Sequence, residues 1–471
     1  MHKVIPIHPA TSWPLTDKIQ AREVSGRFAR WRWTFFWLTQ AFFYGMPWLN
    51  WNGRQAVLFD VAHQRFFLFE AVLFPQDLIY LAGLLVVCAL LLFFATAVAG
   101  RVWCGFACPQ TVYTSLYMWI ENRFEGSHQN RKRLDQSGWT VEKLGRRGGK
   151  HLAWLTVGLW TGLTFVGYFT PLRALGQDVL HLSIGFWPAF WTLFYGTLTY
   201  LNAGLVREKV CLHMCPYGRF QGSLMDDRTL NVTYDHRRGE PRASRRHDGS
   251  NDTSAGHCID CTLCVQVCPT GIDIRQGLQA ACIGCGLCID ACNQVMDKVR
   301  APRGLIRLAS LRELAGGDAA QAVWHTLRRP RVLVYATLLS LCVGALAWSF
   351  TQRPDIRMNV MRDRAVMARF VENGHVENVY RLQLMNATDH PQSLVIGVSS
   401  SLEARLVNPP LVELGPAQAT TVALTVRVPN TVAAAHSGQI VPLAFSVAAD
   451  GSPQPPQAPL VMEASTFVLP R

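Results

Sequence analysis

Charge is scarce in this chain: Asp, Glu, Lys and Arg make up 16% of 471 residues, against 49% apolar. So low a share argues against one soluble globule and for membrane-embedded segments joined to soluble parts. No helix-turn-helix, RNA-binding or zinc-finger pattern is present. The excess of 45 Lys and Arg over 32 Asp and Glu is therefore not read as a nucleic-acid surface, and no nucleic-acid partner is expected. The first thirty residues lack the short apolar core and small-residue cleavage site of a removable signal peptide. No GxGxxG opens a βαβ unit, so the usual flavin fingerprint is missing. The apolar spans hold no pair of His at haem-ligand spacing, and residues 355–471 contain no cysteine.

Cysteine is plentiful elsewhere and tightly patterned. Cys258-x2-Cys261-x2-Cys264-x3-Cys268-Pro269 is followed, after a 13-residue spacer, by Cys282-x2-Cys285-x2-Cys288-x3-Cys292. That is the bacterial ferredoxin run written twice. Three thiolates at two-residue gaps on a turning backbone can each take one iron of a cubane, while the fourth points at the other cluster. Cluster one is expected on Cys258, Cys261, Cys264 and Cys292, and cluster two on Cys282, Cys285, Cys288 and Cys268. Zinc wants four ligands in two CxxC pairs, which this spacing fits badly. Gly256, Gly284 and Gly286 are expected to let the loop backbone approach the clusters. Asn293 stands where the second run would usually carry proline, with an effect expected only on the turn after Cys292.

The apolar runs predict a polytopic α-helical membrane protein. Five transmembrane helices are expected at 31–51, 78–100, 152–170, 182–205 and 332–350, the first four as two helical hairpins, after an N-terminal segment 1–30. Loop 101–151 and segment 206–331 hold 9 and 18 Lys or Arg, whereas loop 52–77 and the short loop after residue 170 hold 2 and 1. The positive-inside rule places the N-terminus, the basic loop and the 206–331 segment in the cytoplasm. The dicluster ferredoxin-like α+β domain, with its core at 250–300, then lies where thiolates stay reduced. An odd number of spans puts residues 355–471 outside. There, alternating segments at 379–384, 393–398 and 421–426, punctuated by Pro391, Pro409-Pro410, Gly415-Pro416, Pro429 and Gly438, predict an immunoglobulin-like β-sandwich. Met358, Met361 and Met367 within it are read as packing residues.

A second motif is duplicated. Span two runs into Cys104-Gly-Phe-Ala-Cys108-Pro109-Gln110, and span four into Cys211-Leu-His213-Met214-Cys215-Pro216-Tyr217. If the two copies pack about a pseudo-two-fold axis, four thiols meet near the inner membrane surface. Each pair could bind a soft metal or cycle between dithiol and disulfide. Thiolate, imidazole and thioether within five residues form a suitable set for Cu(I), held by Cys104, Cys108, Cys211, Cys215, His213 and Met214. The plain alternative is that these cysteines pack helix ends. Cys88 and Cys342 lie inside apolar runs and are read as packing residues.

Trp103-Cys104-Gly-Phe-Ala-Cys108-Pro109-Gln110, Cys211-x3-Cys215-Pro216-Tyr217-Gly218-Arg219-Phe220-Gln221, both cluster runs and Asn378-Val379-Tyr380 together resemble the CcoG/FixG/RdxA family. These are membrane ferredoxins that accompany assembly of cbb3-type cytochrome oxidase. The resemblance covers essentially the whole chain. It implies two [4Fe–4S] clusters in a multi-pass bacterial inner-membrane protein and reduction of Cu(II) to Cu(I) for the oxidase. It also implies a cytoplasmic electron donor, and oxidase subunits or copper-transport and chaperone proteins as partners. A quinol-linked or general electron relay that does not act on copper, and a scaffold with structural clusters, are the competing readings.

Overall fold

The computed structural model describes residues 19–243, 256–316, 326–363, 368–371, 374–407, 411–450 and 459–470. Parts of the N-terminal segment, of the 250–300 core and of the 206–331 segment, together with Met367 and Pro409-Pro410, lie outside them. The chain divides into two compact units. One is Met1–Trp48 with Tyr80–Leu346, and the other is Leu49–Ile79 with Ala347–Arg471.

The helical part of the first unit runs α1 (Arg27–Gly45), α2 (Leu78–Ala99), α3 (Val102–Phe106), α4 (Pro109–Glu125), α5 (His128–Gln136), α6 (Val141–Val166), α7 (Leu172–Leu180) and α8 (Phe186–Thr199). Two π-helical stretches, Tyr200–Val206 and Val210–Met214, lead to α9 (Pro216–Leu224), and a last long helix spans Pro330–Thr351. Among the described residues, two helices are long and apolar enough to cross a membrane: Pro75–Ala99, at mean hydropathy 2.8, and Pro330–Thr351, at 1.9. At the other three places where spans were expected, 31–51, 152–170 and 182–205, the helices differ in extent. Helix α1 begins before residue 31, carries Arg27, Arg30 and Arg32, and ends at Gly45. Helix α6 starts inside the basic loop and includes Lys143, Arg146, Arg147 and Lys150. Helix α8 covers only 14 residues before the chain turns π-helical. Helices α6 and α8 touch backbone to backbone: a Cβ on Gly162 would lie 2.2 Å from the Thr192 carbonyl oxygen. Small residues at such a crossing are what membrane helix pairs use.

The ferredoxin-like module is closed by antiparallel pairing of Asn231–Tyr234 with Ile306–Ala309. Each cysteine run opens a helix, Leu263–Gln266 in the first and Leu287–Lys298 in the second. The first helix stops before Cys268-Pro269, because proline has no N–H to continue it. With Asn293 in the matching place, the second continues past Cys292 for more than a turn, and Asn293 Oδ1 accepts the Gly304 N–H at 3.0 Å. The departure at Asn293 thus lengthens a helix, a larger effect than one altered turn. Cys292 correspondingly sits within a helix instead of opening one.

The second unit holds the sandwich. One sheet has the order Arg405–Val407, Ala419–Val428, Val376–Asn386, Ile356–Arg362, with Arg369–Phe370 also on Val376–Asn386. The other has Leu411–Leu414, Gln392–Ser400, Ile440–Ala449, Val461–Val468. Alternate residues point inward, so Tyr380, Leu382, Leu384, Phe445, Val447 and Phe467 fill the space between the sheets. The Tyr380 hydroxyl donates to the Thr466 carbonyl across that core at 2.8 Å. Met358 is buried and Met361 exposed. Residues 52–77, read as a loop, contribute the three-stranded meander Val57–Asp60, Arg65–Leu68, Ala71–Leu73 to this unit. Phe67, Val72 and Phe74 pack with Met385 and Ala417, and Arg54 pairs with Asp389 at 2.6 Å.

Glu377 is buried on this sheet, which alone would raise its pKa. Arg427 at 2.5 Å and Arg369 at 2.8 Å hold its carboxyl below the ordinary value instead. A depressed carboxylate pKa adds stability that is complete above the unfolded-state value of about 4.3 and is lost as pH falls toward the folded-state value. Glu377→Gln should therefore remove part of the acid sensitivity of unfolding and cost about 1 kcal/mol near neutrality, since both guanidiniums are partly exposed. Denaturant unfolding of the full chain at neutral and mildly acidic pH checks this; parallel pH profiles for the two proteins would contradict it.

Candidate iron–sulfur and thiol site

Two cavities sit inside the ferredoxin-like module. Cys258, Cys261, Cys264 and Cys292 line the first, with Tyr234 and Arg275; Cys264, Cys268, Cys282, Cys285 and Cys288 line the second. The first run thus lends Cys268 to the second cavity, and the second run lends Cys292 to the first. All the cysteines are free thiols. Among the described residues, no three of His, Cys, Asp and Glu converge tightly enough for one metal ion. The residues fit a cubane, whose corners each take a different sulfur, better than a mononuclear ion. Gly284 N–H points at Cys282 Sγ at 3.4 Å, the kind of amide donor that steadies cluster sulfur. Arg275, buried beside the first cavity, bonds Asp273 at 2.7 Å and also Asp260.

The two Cys-x3-Cys-Pro copies share one local design. Each helix breaks just before its second cysteine, and proline then starts the next: Cys108 precedes α4 with Pro109 in its first turn, and Cys215 precedes α9 with Pro216 likewise. Neither motif therefore lies on one continuous helix, where residues four apart would share a face. Cys104 is in α3, and Cys211 is in the π-helical stretch Val210–Met214. The four thiols nevertheless lie within reach of one another's charge. Burial pushes the Cys104 thiol up to about 11, with further rises from Cys108 and Cys215. Burial pushes Cys211 up to about 12, with Cys108, Cys104 and Cys215 repelling its charged form. His213 and Met214 are exposed.

Side chains outside both motifs' cysteines join the copies to each other and to the second cluster cavity. Gln221, fully buried on α9, accepts the Cys104 S–H at 3.7 Å and donates to the Gly100 carbonyl at 3.4 Å. Gln110 donates to the Asn202 and Arg207 carbonyls at 2.8 and 3.0 Å. Arg101 donates to the carbonyls of Ala280 and Cys282, the latter at 2.6 Å, and to that of Gly218 at 3.4 Å. Gly105 is an approach point: a Cβ there would lie 2.9 Å from Cys285 Cα. From the other copy, Leu212 packs against the ferredoxin core. The thiol quartet therefore adjoins the second cluster cavity. Gln221 stands in a motif legible in the sequence and Arg101 and Arg275 in none, and spacing gives none of the three a role.

The helical part also holds a buried ion network. Glu121 pairs with Arg207 at 2.7 Å, Arg131 at 3.4 Å and Lys150 at 3.7 Å, and Lys150 also pairs with Glu125 at 2.6 Å. Lys150 and Arg207 lie over the Trp154 ring at 4.9 and 5.3 Å from its centroid.

Fold and site together define an iron–sulfur electron-transfer protein with two cubane-type cavities and an immunoglobulin-like domain. Family models agree: a 4Fe-4S dicluster domain matches residues 206–311, a 4Fe-4S binding domain 81–126, and the IG-like fold at the C-terminus of FixG, putative oxidoreductase, 346–470. Protein RdxA of Cereibacter sphaeroides is 39% identical over 394 residues, 82% of each chain. Nitrogen fixation protein FixG of Rhizobium meliloti is 36% identical over 416 residues, 81% of this chain and 79% of its own. Protein RdxB of Cereibacter sphaeroides is 38% identical over 399 residues, 83% of each. The chain belongs to the FixG/RdxA family.

Proposed function

We propose that this protein reduces Cu(II) to Cu(I) at the thiol quartet, in support of cbb3-type oxidase assembly. The observation that carries the reading is the shared seat of the quartet and the second cluster loop, joined through Arg101 and Gly105. When bound, the clusters would supply single electrons. The chain's own part is to hold copper as substrate next to them. With no three donors converging, two sulfurs would bind the ion, a soft and low coordination suited to Cu(I). Gln221 orients Cys104, and partial burial limits the water around the sulfurs.

The Lys and Arg distribution supports a cytoplasmic ferredoxin module in the inner membrane with residues 355–471 on the far side. Exposed Trp37, Leu38 and Phe42 on α1, and Phe186, Trp187 and Leu193 on α8, support burial of those helices in lipid as well. A cytoplasmic donor, and oxidase subunits or copper-handling proteins, are the proposed partners.

Protein with Cys211 and Cys215 both changed to Ser should bind copper more than about tenfold more weakly and lose Cu(II) reduction, while its cluster absorbance stays unchanged. Undiminished reduction in that variant removes the copper reading. The 4Fe-4S binding-domain match over 81–126, which contains Cys104 and Cys108, favours a second reading in which the quartet carries an iron–sulfur cluster itself. Anaerobic iron and sulfide analysis separates the two, by whether the double variant loses iron.

A further inference from the structure

A cavity of about 480 Å3 opens in the first unit between α1, α4 and the ferredoxin loops. Its size lies within the range of small-molecule sites, about 300–1,000 Å3. Of the four quartet cysteines, Cys211 alone belongs to its lining, and Glu208, three residues earlier, lines it too. Thr270 and Ile283 border it from the loops of the second cluster cavity. Arg22, Glu23 and Ser25 also line it and are exposed, so the cavity reaches solvent through them, whereas Cys211 is half-buried. It therefore forms a passage from the molecular surface to the quartet.

Size and charge narrow what can use it. A water molecule takes about 30 Å3 of liquid and a bare ion fills less, so the passage admits an ion together with a carrier of roughly twenty non-hydrogen atoms. A folded protein cannot enter and would reach only the rim. Six charged side chains lie on the lining. Arg131 and Arg207 are buried against Glu121, at 3.4 and 2.7 Å, and so serve the wall. The other four, Arg22, Arg32, Glu23 and Glu208, are exposed or partly exposed and balance two against two. Arg32 also donates to the Ser115 hydroxyl at 2.7 Å. A carrier with both carboxylate and ammonium groups finds a partner for each sign, whereas a carrier of one sign meets repulsion as well as attraction. We infer that copper enters and leaves the quartet through this passage as the chelate of a small zwitterionic peptide. At Cys211 one bond from copper to the carrier breaks as a Cu–S bond forms, the thiol proton passes to the released donor atom, and copper keeps its oxidation state. This rests on the copper reading above.

Anaerobic copper loading of the detergent-solubilised full-length protein tests it, with the Cu(I) complex of glutathione in one arm and Cu(I) in acetonitrile, whose ligands carry no charge, in the other. Ser115→Trp narrows the passage from α4. It should slow loading from the glutathione complex by about tenfold or more, while the final copper and iron contents match the wild type. In copper-free protein the same variant should slow labelling of Cys211 by N-ethylmaleimide, read by peptide mass spectrometry. Arg22→Glu, at an exposed position, gives a second variant should the first fail to fold. It should slow loading from the glutathione complex by about threefold and leave loading from acetonitrile no slower. Wild-type protein that takes up copper from neither source removes the copper reading and this inference together. Copper uptake at equal rates by wild type and folded variants, with Cys211 equally labelled, overturns this inference alone.

Discussion

Cys282→Ser should strip the protein of about half its iron and labile sulfide, with the matching loss of reducible cluster signal. Cys282 lines the second cavity only, receives the Gly284 amide at 3.4 Å, and offers its carbonyl to Arg101 at 2.6 Å. A serine oxygen is a harder and shorter ligand than a thiolate, so that corner of the cubane is lost first. Because the same loop carries Gly105 on the Cys285 backbone, disturbance should spread to the quartet. Copper binding, if the quartet provides it, should then fall in this variant too. Cys88→Ser supplies the control, since Cys88 is exposed on α2 and far in sequence from either cavity. Iron analysis and low-temperature EPR of anaerobically purified protein read the result. Full iron content in the Cys282 variant would detach that cysteine from cluster binding.

Glu121→Ala is expected to be the most destabilising substitution in the helical unit. It leaves Arg131, Arg207 and Lys150 buried with Glu125 as the one carboxylate of the network remaining. Removing one member of a buried ion network typically costs about 3–5 kcal/mol, because the unmatched charges stay out of water. Glu121→Gln keeps the shape and some hydrogen bonds, so it should recover part of that loss. Thermal unfolding in detergent measures both, and an unchanged midpoint for the alanine variant would show the network to be energetically idle. The loss should also appear at the thiols, since Arg207 follows the π-helical stretch and its carbonyl is held by Gln110.

What could be read from the sequence follows from how local each feature is. The cluster runs close over a few residues, so spacing alone groups the eight cysteines and crosses Cys268 with Cys292. Strands of the sandwich declare themselves because Tyr380, Leu382 and Leu384 alternate with polar neighbours. Arg101 looked like one more positive charge at a span end, since its acceptors lie 179 and 181 residues further on. The Glu121 network was hidden for the same reason: Arg131 and Lys150 counted as topology signals in a basic loop. His213 and Met214 read as ligands by their closeness in sequence to the thiols, whereas their exposure on a π-helical stretch was not legible there. The meander at 57–73 is too short to stand alone, and its partners Met385 and Ala417 come more than three hundred residues later.

Asp290 Oδ2 accepts the Ala29 N–H at 2.8 Å, at the start of α1. A carboxylate there offsets the positive end of the helix dipole. During synthesis, however, α1 leaves the ribosome long before the residue 261 positions downstream that completes it. Helix α1 therefore gains this cap only after the second cysteine run has been translated and folded.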